Sequence, residues 1–149
     1  MIKVFIAADH NGYELKHQLL EYLDLKGFEA IDCGDQKLDN VDDFPKFAVK
    51  AVNQLLGSND LNNRAILICG SGQGMCMAAN RFKGIRASLC TSTSLAYDAR
   101  NDDDSNVLCL SSKEISKSDN INILNVFLTT EFSKASRFVR RINQLDEIG

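Results

Sequence analysis

Residues 65–79 read Ala-Ile-Leu-Ile-Cys-Gly-Ser-Gly-Gln-Gly-Met-Cys-Met-Ala-Ala. The apolar run Ala65 to Ile68 halts at Cys69, glycines recur at 70, 72 and 74, and a second apolar run, Met75 to Ala79, follows at once. This punctuation spells strand, tight loop, helix. Glycine admits positive φ and close approach by another backbone or a ligand, so Gly70, Gly72 and Gly74 suit a loop whose N–H groups converge on an anion. The helix that follows adds the unpaired N–H groups of its first turn. Converging donors favour thiolate over thiol, which makes Cys69 a candidate base or nucleophile. The other reading of the same residues is an inert strand-end thiol beside a loop that is glycine-rich for packing alone. The segment is not a P-loop, because no Gly-Lys-Ser/Thr follows the glycines, and Gly70-Ser71-Gly72-Gln73-Gly74 brings its last glycine one residue early for a dinucleotide fingerprint.

Outward from this centre the chain alternates strand and helix. Ile2 to Ala8 is an apolar run broken by Lys3, as in a parallel strand covered on both faces. It ends at Asp9-His10-Asn11-Gly12, and helical periodicity through Leu15, Leu19 and Leu23 runs to a stop at Gly27. Phe28 to Cys33 reads as a second strand, Gly34 to Asp43 as a polar loop, and Pro45 to Gly57 as a helix with its only proline in the first turn. After the central segment come a strand Ile85 to Cys90, a helical stretch with Leu95, Ala96 and Ala99, the acidic run Asp102 to Asp104 read as a solvated loop, and a strand Val107 to Leu110. Two helices follow, Asn120 to Thr130 and about 132–147. The pattern predicts a three-layer α/β/α, Rossmann-like fold on a five-stranded parallel sheet, with one domain spanning residues 1–149.

With 149 residues, 44% hydrophobic and 25% charged, the chain has the composition of an ordinary globular protein. A net charge of −3 argues against broad nucleic-acid binding. Five cysteines without a Cys-x-x-Cys pair, and two histidines, fit reduced thiols in a cytoplasmic protein and offer no dedicated metal site. No apolar run approaches the thickness of a bilayer, so a membrane partner is not expected.

In a doubly wound sheet ligands bind beyond the carboxyl ends of the strands. That rule gathers Asp9 and His10, Cys69 with its glycine loop, Thr91, and Ser111 to Lys113. A carboxylate, an imidazole and a thiol at strand ends make an acid/base site; read alone, Asp9-His10 is equally a helix cap beside a surface histidine. Arg137 and Arg141, four residues apart, share a helix face and can grip a phosphate with paired donors, or form a solvated basic patch with Lys134 and Arg140.

Taken together these residues resemble the type B ribose-5-phosphate isomerases, of the family that includes the galactose- and allose-6-phosphate isomerases. The resemblance rests on Asp9-His10-x-Gly12, Val41 to Pro45, Ile-Leu-Ile-Cys-Gly-Ser-Gly-x-Gly-Met at 66–75, Ala78 to Asn80, Gly84 to Ala87, Asn106 to Leu110 and a terminal helix with two arginines, and so spans nearly the whole chain. It implies interconversion of an aldose and a ketose phosphate through a cis-enediolate, without metal or organic cofactor. Cys69 then moves the proton between the first two sugar carbons. Gly70, Gly72, Gln73 and Gly74 line the oxyanion, Ser71 relays protons, Asp9 and His10 hold the sugar, and Arg137 and Arg141 hold the phosphate. It also implies a site at a subunit interface, hence a homodimer or a tetramer built from dimers.

The departures are specific. Asp102 and Asp103 follow Arg100-Asn101 where the family usually carries His-Asn, and that histidine is its ring-opening acid. A carboxyl ordinarily ionises near pH about 4, so aspartate there offers a base to the anomeric hydroxyl unless burial or its acidic neighbours make it an acid. Lys113 stands for an arginine expected at the phosphate, Phe44 for a tyrosine and Phe138 for a histidine. The implied substrate is ribose 5-phosphate. A six-carbon sugar phosphate, or binding of a phosphosugar without turnover, are the alternatives that the changed residues leave open.

Overall fold

The computed structural model describes residues 2–149. Five parallel strands, β1 (Lys3–Ala8), β2 (Glu29–Asp32), β3 (Arg64–Cys69), β4 (Ala87–Leu89) and β5 (Val107–Ser111), form one sheet in the order β2-β1-β3-β5-β4. The helices are α1 (Tyr13–Leu25), α2 (Phe44–Gly57), α3 (Gln73–Ala79), α4 (Thr93–Asp103), α5 (Lys117–Thr129) and α6 (Ser136–Asp146).

Strand alternation sorts the core into two slabs. Val4, Ile6, Ala8, Ile66, Ile68, Leu108 and Leu110 face α1, α4 and α5, whose Leu15, Leu19, Ala96, Ile123 and Phe127 close that side. Phe5, Ala7, Leu67, Cys69 and Cys109 face α2 and α3 with Phe47, Val52 and Met75. Because β1, β3 and β5 are covered on both faces, they read in sequence as apolar runs rather than as alternating ones. Each fully buried large aliphatic side chain contributes about 1.5–3 kcal/mol, so these three strands are the rigid part of the molecule. The three-layer, five-stranded parallel architecture is the one the sequence predicts.

Four boundaries differ from the sequence reading. The fourth strand is Ala87–Leu89 rather than Ile85 to Cys90, because Gly84 at φ +87° and the bonds from Asn106 and Val107 N–H to the Arg86 carbonyl delay the ladder. The helix predicted from Asn120 starts at Lys117, capped by Ser116, whose Oγ accepts the Asp119 N–H at 3.1 Å. The last helix begins at Ser136, since Lys134 at φ +60° cannot continue a helix from 132. Asp102 and Asp103 are the last turn of α4 rather than a solvated loop, and Asp104, at φ +48°, ends that helix while pairing with Arg100 (2.8 Å) and Arg86 (3.4 Å).

No helix among the described residues is long and apolar enough to cross a membrane. The helix α6 stands apart: none of its residues is buried, and Val139, Leu145 and the following Ile148 are exposed apolar groups.

Candidate active site

Between β1 and β3 the chain changes direction, β1 leading to β2 on one side and β3 leading to β4, past the position of β5, on the other. This is the switch point at which open α/β sheets hold ligands. Asp9 N–H donates to the Ile68 carbonyl at 3.3 Å, which sets the end of β1 directly beside Cys69.

The Cys69 side chain points to the α2/α3 side and is 6% exposed; its Sγ accepts the Gly72 N–H at 3.2 Å. That bond needs the left-handed turn at Gly72, φ +80°, where a Cβ would lie 2.5 Å from Leu89 Cδ1 and 3.1 Å from the Leu110 carbonyl. The loop's carbonyls are tied down. Gly70 O accepts Lys113 N–H at 3.0 Å and Ser111 Oγ at 2.7 Å, and Cys69 O accepts Ser112 N–H at 3.1 Å. Gln73 N–H is held by Ser71 Oγ at 3.3 Å, whereas the N–H groups of Gly70, Ser71 and Gly74 have no partner among the described residues. With its acceptors pinned and donors left over, the loop is built to receive negative charge next to a thiol.

Asp9 is buried. Its Oδ1 accepts the N–H groups of Asn11 (3.0 Å) and Gly12 (3.3 Å), shaping the entry to α1. Burial raises its carboxyl above the ordinary aspartate value, against those two bonds, which pull it down. His10 is held from the other side by Asp42, whose Oδ1 accepts both His10 N–H at 3.0 Å and Nδ1 at 2.8 Å. That bond raises the imidazole pKa above its usual range. Asp42, 32 residues from its partner, is the contact of this site that sequence reasoning did not single out: it sits in the loop read as polar, within the Val41 to Pro45 segment of the resemblance. The same segment carries Phe44, whose ring covers Gly74 so closely that a Cβ there would fall 2.7 Å from it.

The base of that loop is fixed by Lys16, a fully buried lysine on α1. Its Nζ donates to Asp32 Oδ1 (2.9 Å), Asp32 Oδ2 (3.1 Å) and the Asp35 carbonyl (2.7 Å), using all its donors.

Of the remaining sequence candidates, Ser71, Gln73 and Lys113 lie at this carboxyl edge, all exposed. The structure does not bring Asp102, Asp103, Arg137 and Arg141 to it. Helix α4 runs antiparallel to the strands and ends four residues before β5, whose first residue, Val107, pairs with Ala65 at the start of β3. Asp102 and Asp103 therefore sit at the opposite, amino edge of the sheet from Cys69. Asp103 is raised chiefly by desolvation and then by Asp102 and Asp98, and lowered by Arg141 and Arg86, so α6 brings an arginine to the same edge. Arg137 is exposed and stacks on Phe138, 4.3 Å from guanidinium to ring centre. A cavity of about 540 Å³ opens here, lined in part by Arg81, Arg86, Asp103, Leu145 and Ile148.

Asp9, His10 and Asp42 are the one group of three potential metal ligands among the described residues, their ligand atoms within 4.8 Å of one another. The histidine Nδ1 and one oxygen each of Asp9 and Asp42 are, however, already spent on hydrogen bonds within the chain.

Comparison with known proteins places the chain closely. A family model described as Ribose/Galactose Isomerase matches residues 4–145. A probable ribose-5-phosphate isomerase B of Mycoplasma genitalium is 42% identical over 142 residues, 95% of this chain and 92% of the relative. The ribose-5-phosphate isomerase B of Mycobacterium tuberculosis is 36% identical, covering 98% of this chain and 89% of the relative. Among solved structures, the Mycoplasma genitalium enzyme with bound ribulose-5-phosphate superposes with a TM-score of 0.92 at 41% identity, covering 97% of this chain and 94% of that one.

Proposed function

The chain belongs to the ribose/galactose isomerase family, and from that membership we propose that it interconverts ribose 5-phosphate and ribulose 5-phosphate, with Cys69 as the base. The observation that carries this reading is the Cys69 thiol set beneath the unpartnered N–H groups of Gly70, Ser71 and Gly74. In the open-chain aldose, Cys69 Sγ takes the proton from C2, and the electron pair moves into a C1–C2 double bond as negative charge gathers on O1. The loop donors meet that charge; losing one such donor typically costs about 2.7–4 kcal/mol of barrier. Ser71 Oγ passes a proton between O1 and O2, and the thiol returns its proton to C1, which yields the ketose. One residue removes and returns the proton, so the transfer stays on one face of the intermediate, as a cis-enediolate allows.

Asp9 and His10 bind sugar hydroxyls at the same edge. Arg137 and Arg141 bind the phosphate, with Lys113 as a further cation, and Asp102 serves as the ring-opening group with Asp103 beside it. Since one chain puts Cys69 and the Asp102–Arg141 group at opposite edges of its sheet, the working site combines the carboxyl edge of one copy with the amino edge of a second, in a homodimer. The exposed apolar residues of α6 supply contact surface for that pairing.

Isomerisation of ribose 5-phosphate by the purified protein, without added metal and beside Cys69→Ala, tests the proposal. Turnover in the parent and its loss in the variant is the expected result. Full turnover in Cys69→Ala overturns the mechanism. A parent active only on allose or galactose 6-phosphate overturns the substrate, and one that binds phosphosugar without exchanging its carbon-bound proton overturns the enzyme.

A further inference from the structure

Asp42 lies outside the thiol, the glycine loop and the arginines, yet it makes the closest contact to a side chain of the sugar site. One of its oxygens, Oδ1, accepts from two donors of the same residue, His10 N–H at 3.0 Å and His10 Nδ1 at 2.8 Å. Its side chain is only 3% exposed, against 30% for His10. A carboxylate can only accept, so the proton of that contact is on Nδ1, and the imidazole is locked both in tautomer and in ring orientation. Nε2 has no partner among the described residues and, on a side chain 30% exposed, is left free to donate.

We infer that Asp42 is a positioning residue for substrate binding: it fixes the His10 ring so that Nε2 is a preset donor to an oxygen of the sugar phosphate. The inference rests on the reading of this crevice as the sugar-phosphate site.

The loop is constructed to deliver that carboxylate. Its start is clamped by Lys16 through Asp32 and Asp35, and by Tyr13, whose hydroxyl donates to the Gln36 carbonyl at 2.9 Å. Its end turns at Asp39, whose Oδ1 accepts Val41 N–H at 3.1 Å and whose carbonyl accepts Asp42 N–H at 3.3 Å. Two residues on, Phe44 rests against Gly74 of the anion loop. One segment thus fixes the imidazole and covers the glycine loop, so the two halves of the crevice are held in register by it. The acidic groups that act on the His10 ring are Asp42, Asp9 and Asp39, all favouring its cationic form; an imidazolium with both nitrogens protonated is a better donor to an anion than the neutral ring.

The test uses Asp42→Asn and Asp42→Ala in the full chain, with two readouts. The first is the NMR titration of His10, which in the parent is expected to titrate above the ordinary imidazole value and to fall toward it in both variants. The second is kinetics. KM for the sugar phosphate is expected to rise about tenfold in Asp42→Ala, on the scale of one charge-assisted hydrogen bond, with kcat changed less and the alkaline limb of kcat/KM moved to lower pH. Asp42→Glu is expected to restore part of the loss. An unchanged His10 titration in both variants, or an unchanged KM with a shifted titration, overturns the inference. A parent without turnover sinks the isomerase reading by itself and leaves the NMR result to decide the His10–Asp42 coupling.

Discussion

The two edges of the sheet are built to different standards of completeness. At the carboxyl edge the candidate side chains have their neighbours in the same chain: Cys69 takes a bond from Gly72, Asp9 turns the chain into α1, His10 is held by Asp42, and the loop carbonyls are pinned by Ser111, Ser112 and Lys113. At the amino edge charge is concentrated without closure. Asp103, Arg137 and Arg141 are exposed, the α6 helix buries none of its residues, and the cavity there is open to Asp103, Leu145 and Ile148. Among the described residues the thiol and its glycine loop have only Lys113 as a cation beside them, and the arginines lie at the edge away from the thiol. The difference is what the proposed shared site rests on: each edge, read as a half-site, is completed by the opposite edge of a second copy.

The largest expected effect falls on the finished edge. Cys69→Ala removes the proposed proton-transferring group and is expected to lower kcat about 10³-fold, within the usual range for a positioned acid or base, with circular dichroism and melting unchanged. Loss of less than tenfold would break the contrast, since the finished edge would then not be where the chemistry occurs.

The next effect is on stability rather than rate. Lys16→Met leaves Asp32 and the Asp35 carbonyl without their buried donor, and urea unfolding is expected to show a loss of about 3–5 kcal/mol. The matching change at the other edge, Arg86→Met, removes donors to the Asp103 and Asp104 carbonyls, but its ionic partner Asp104 is 36% exposed and still paired to Arg100, so it is expected to cost less, about 1–2 kcal/mol. Equal costs would remove the distinction in how tightly the two edges are built.

Arg141→Ala is expected to raise KM for the sugar phosphate by about tenfold, as for loss of a charged donor to an anion, while leaving the melting temperature within about a degree, because nothing in the chain buries that side chain. Free inorganic phosphate should inhibit the parent more strongly than this variant.

The smallest effect is in thiol reactivity. Cys76, half-buried on α3, is pulled down to about 7 by the hydrogen bond from Cys109, whereas burial pushes Cys33 up to about 11 and Cys90 to about 12. The thiolate fraction of Cys76 therefore grows as pH rises through about 7, and iodoacetamide labelling followed by peptide mass mapping should show Cys76 gaining label from pH 6 to 8 while Cys33, Cys90 and Cys109 remain unlabelled until the protein is unfolded.

The carboxyl edge was legible in sequence for a physical reason: a doubly buried strand followed by alternating glycines leaves a local signature that runs through consecutive residues, from Ile66 to Met75. The amino edge left only the four-residue spacing of Arg137 and Arg141. Asp102 to Asp104 read as a solvated loop because helix ends are not marked by acidic residues, yet Asp104 caps α4 and anchors two arginines. Lys134, at positive φ, looks like any other helix-compatible residue in sequence, and so the final helix was read several residues too long. Asp42 and Lys16 act across 32 and 16 residues respectively, through contacts that exist only after β1, α1 and β2 have packed. The pattern of apolar residues places elements, but it does not say which polar side chain of a loop turns inward.

Subunit complementation tests the central claim most directly. Cys69→Ala and Arg141→Ala chains, each purified alone, are unfolded, mixed in equal amounts and refolded together, and isomerisation of ribose 5-phosphate is followed at limiting substrate. If the site joins the carboxyl edge of one copy to the amino edge of another, half of the dimers are mixed and each holds one intact site of two, so activity should return to about a quarter of the parent's. Activity that stays at the mean of the two variants would contradict the shared site, and with it the reading of the two edges as halves of one.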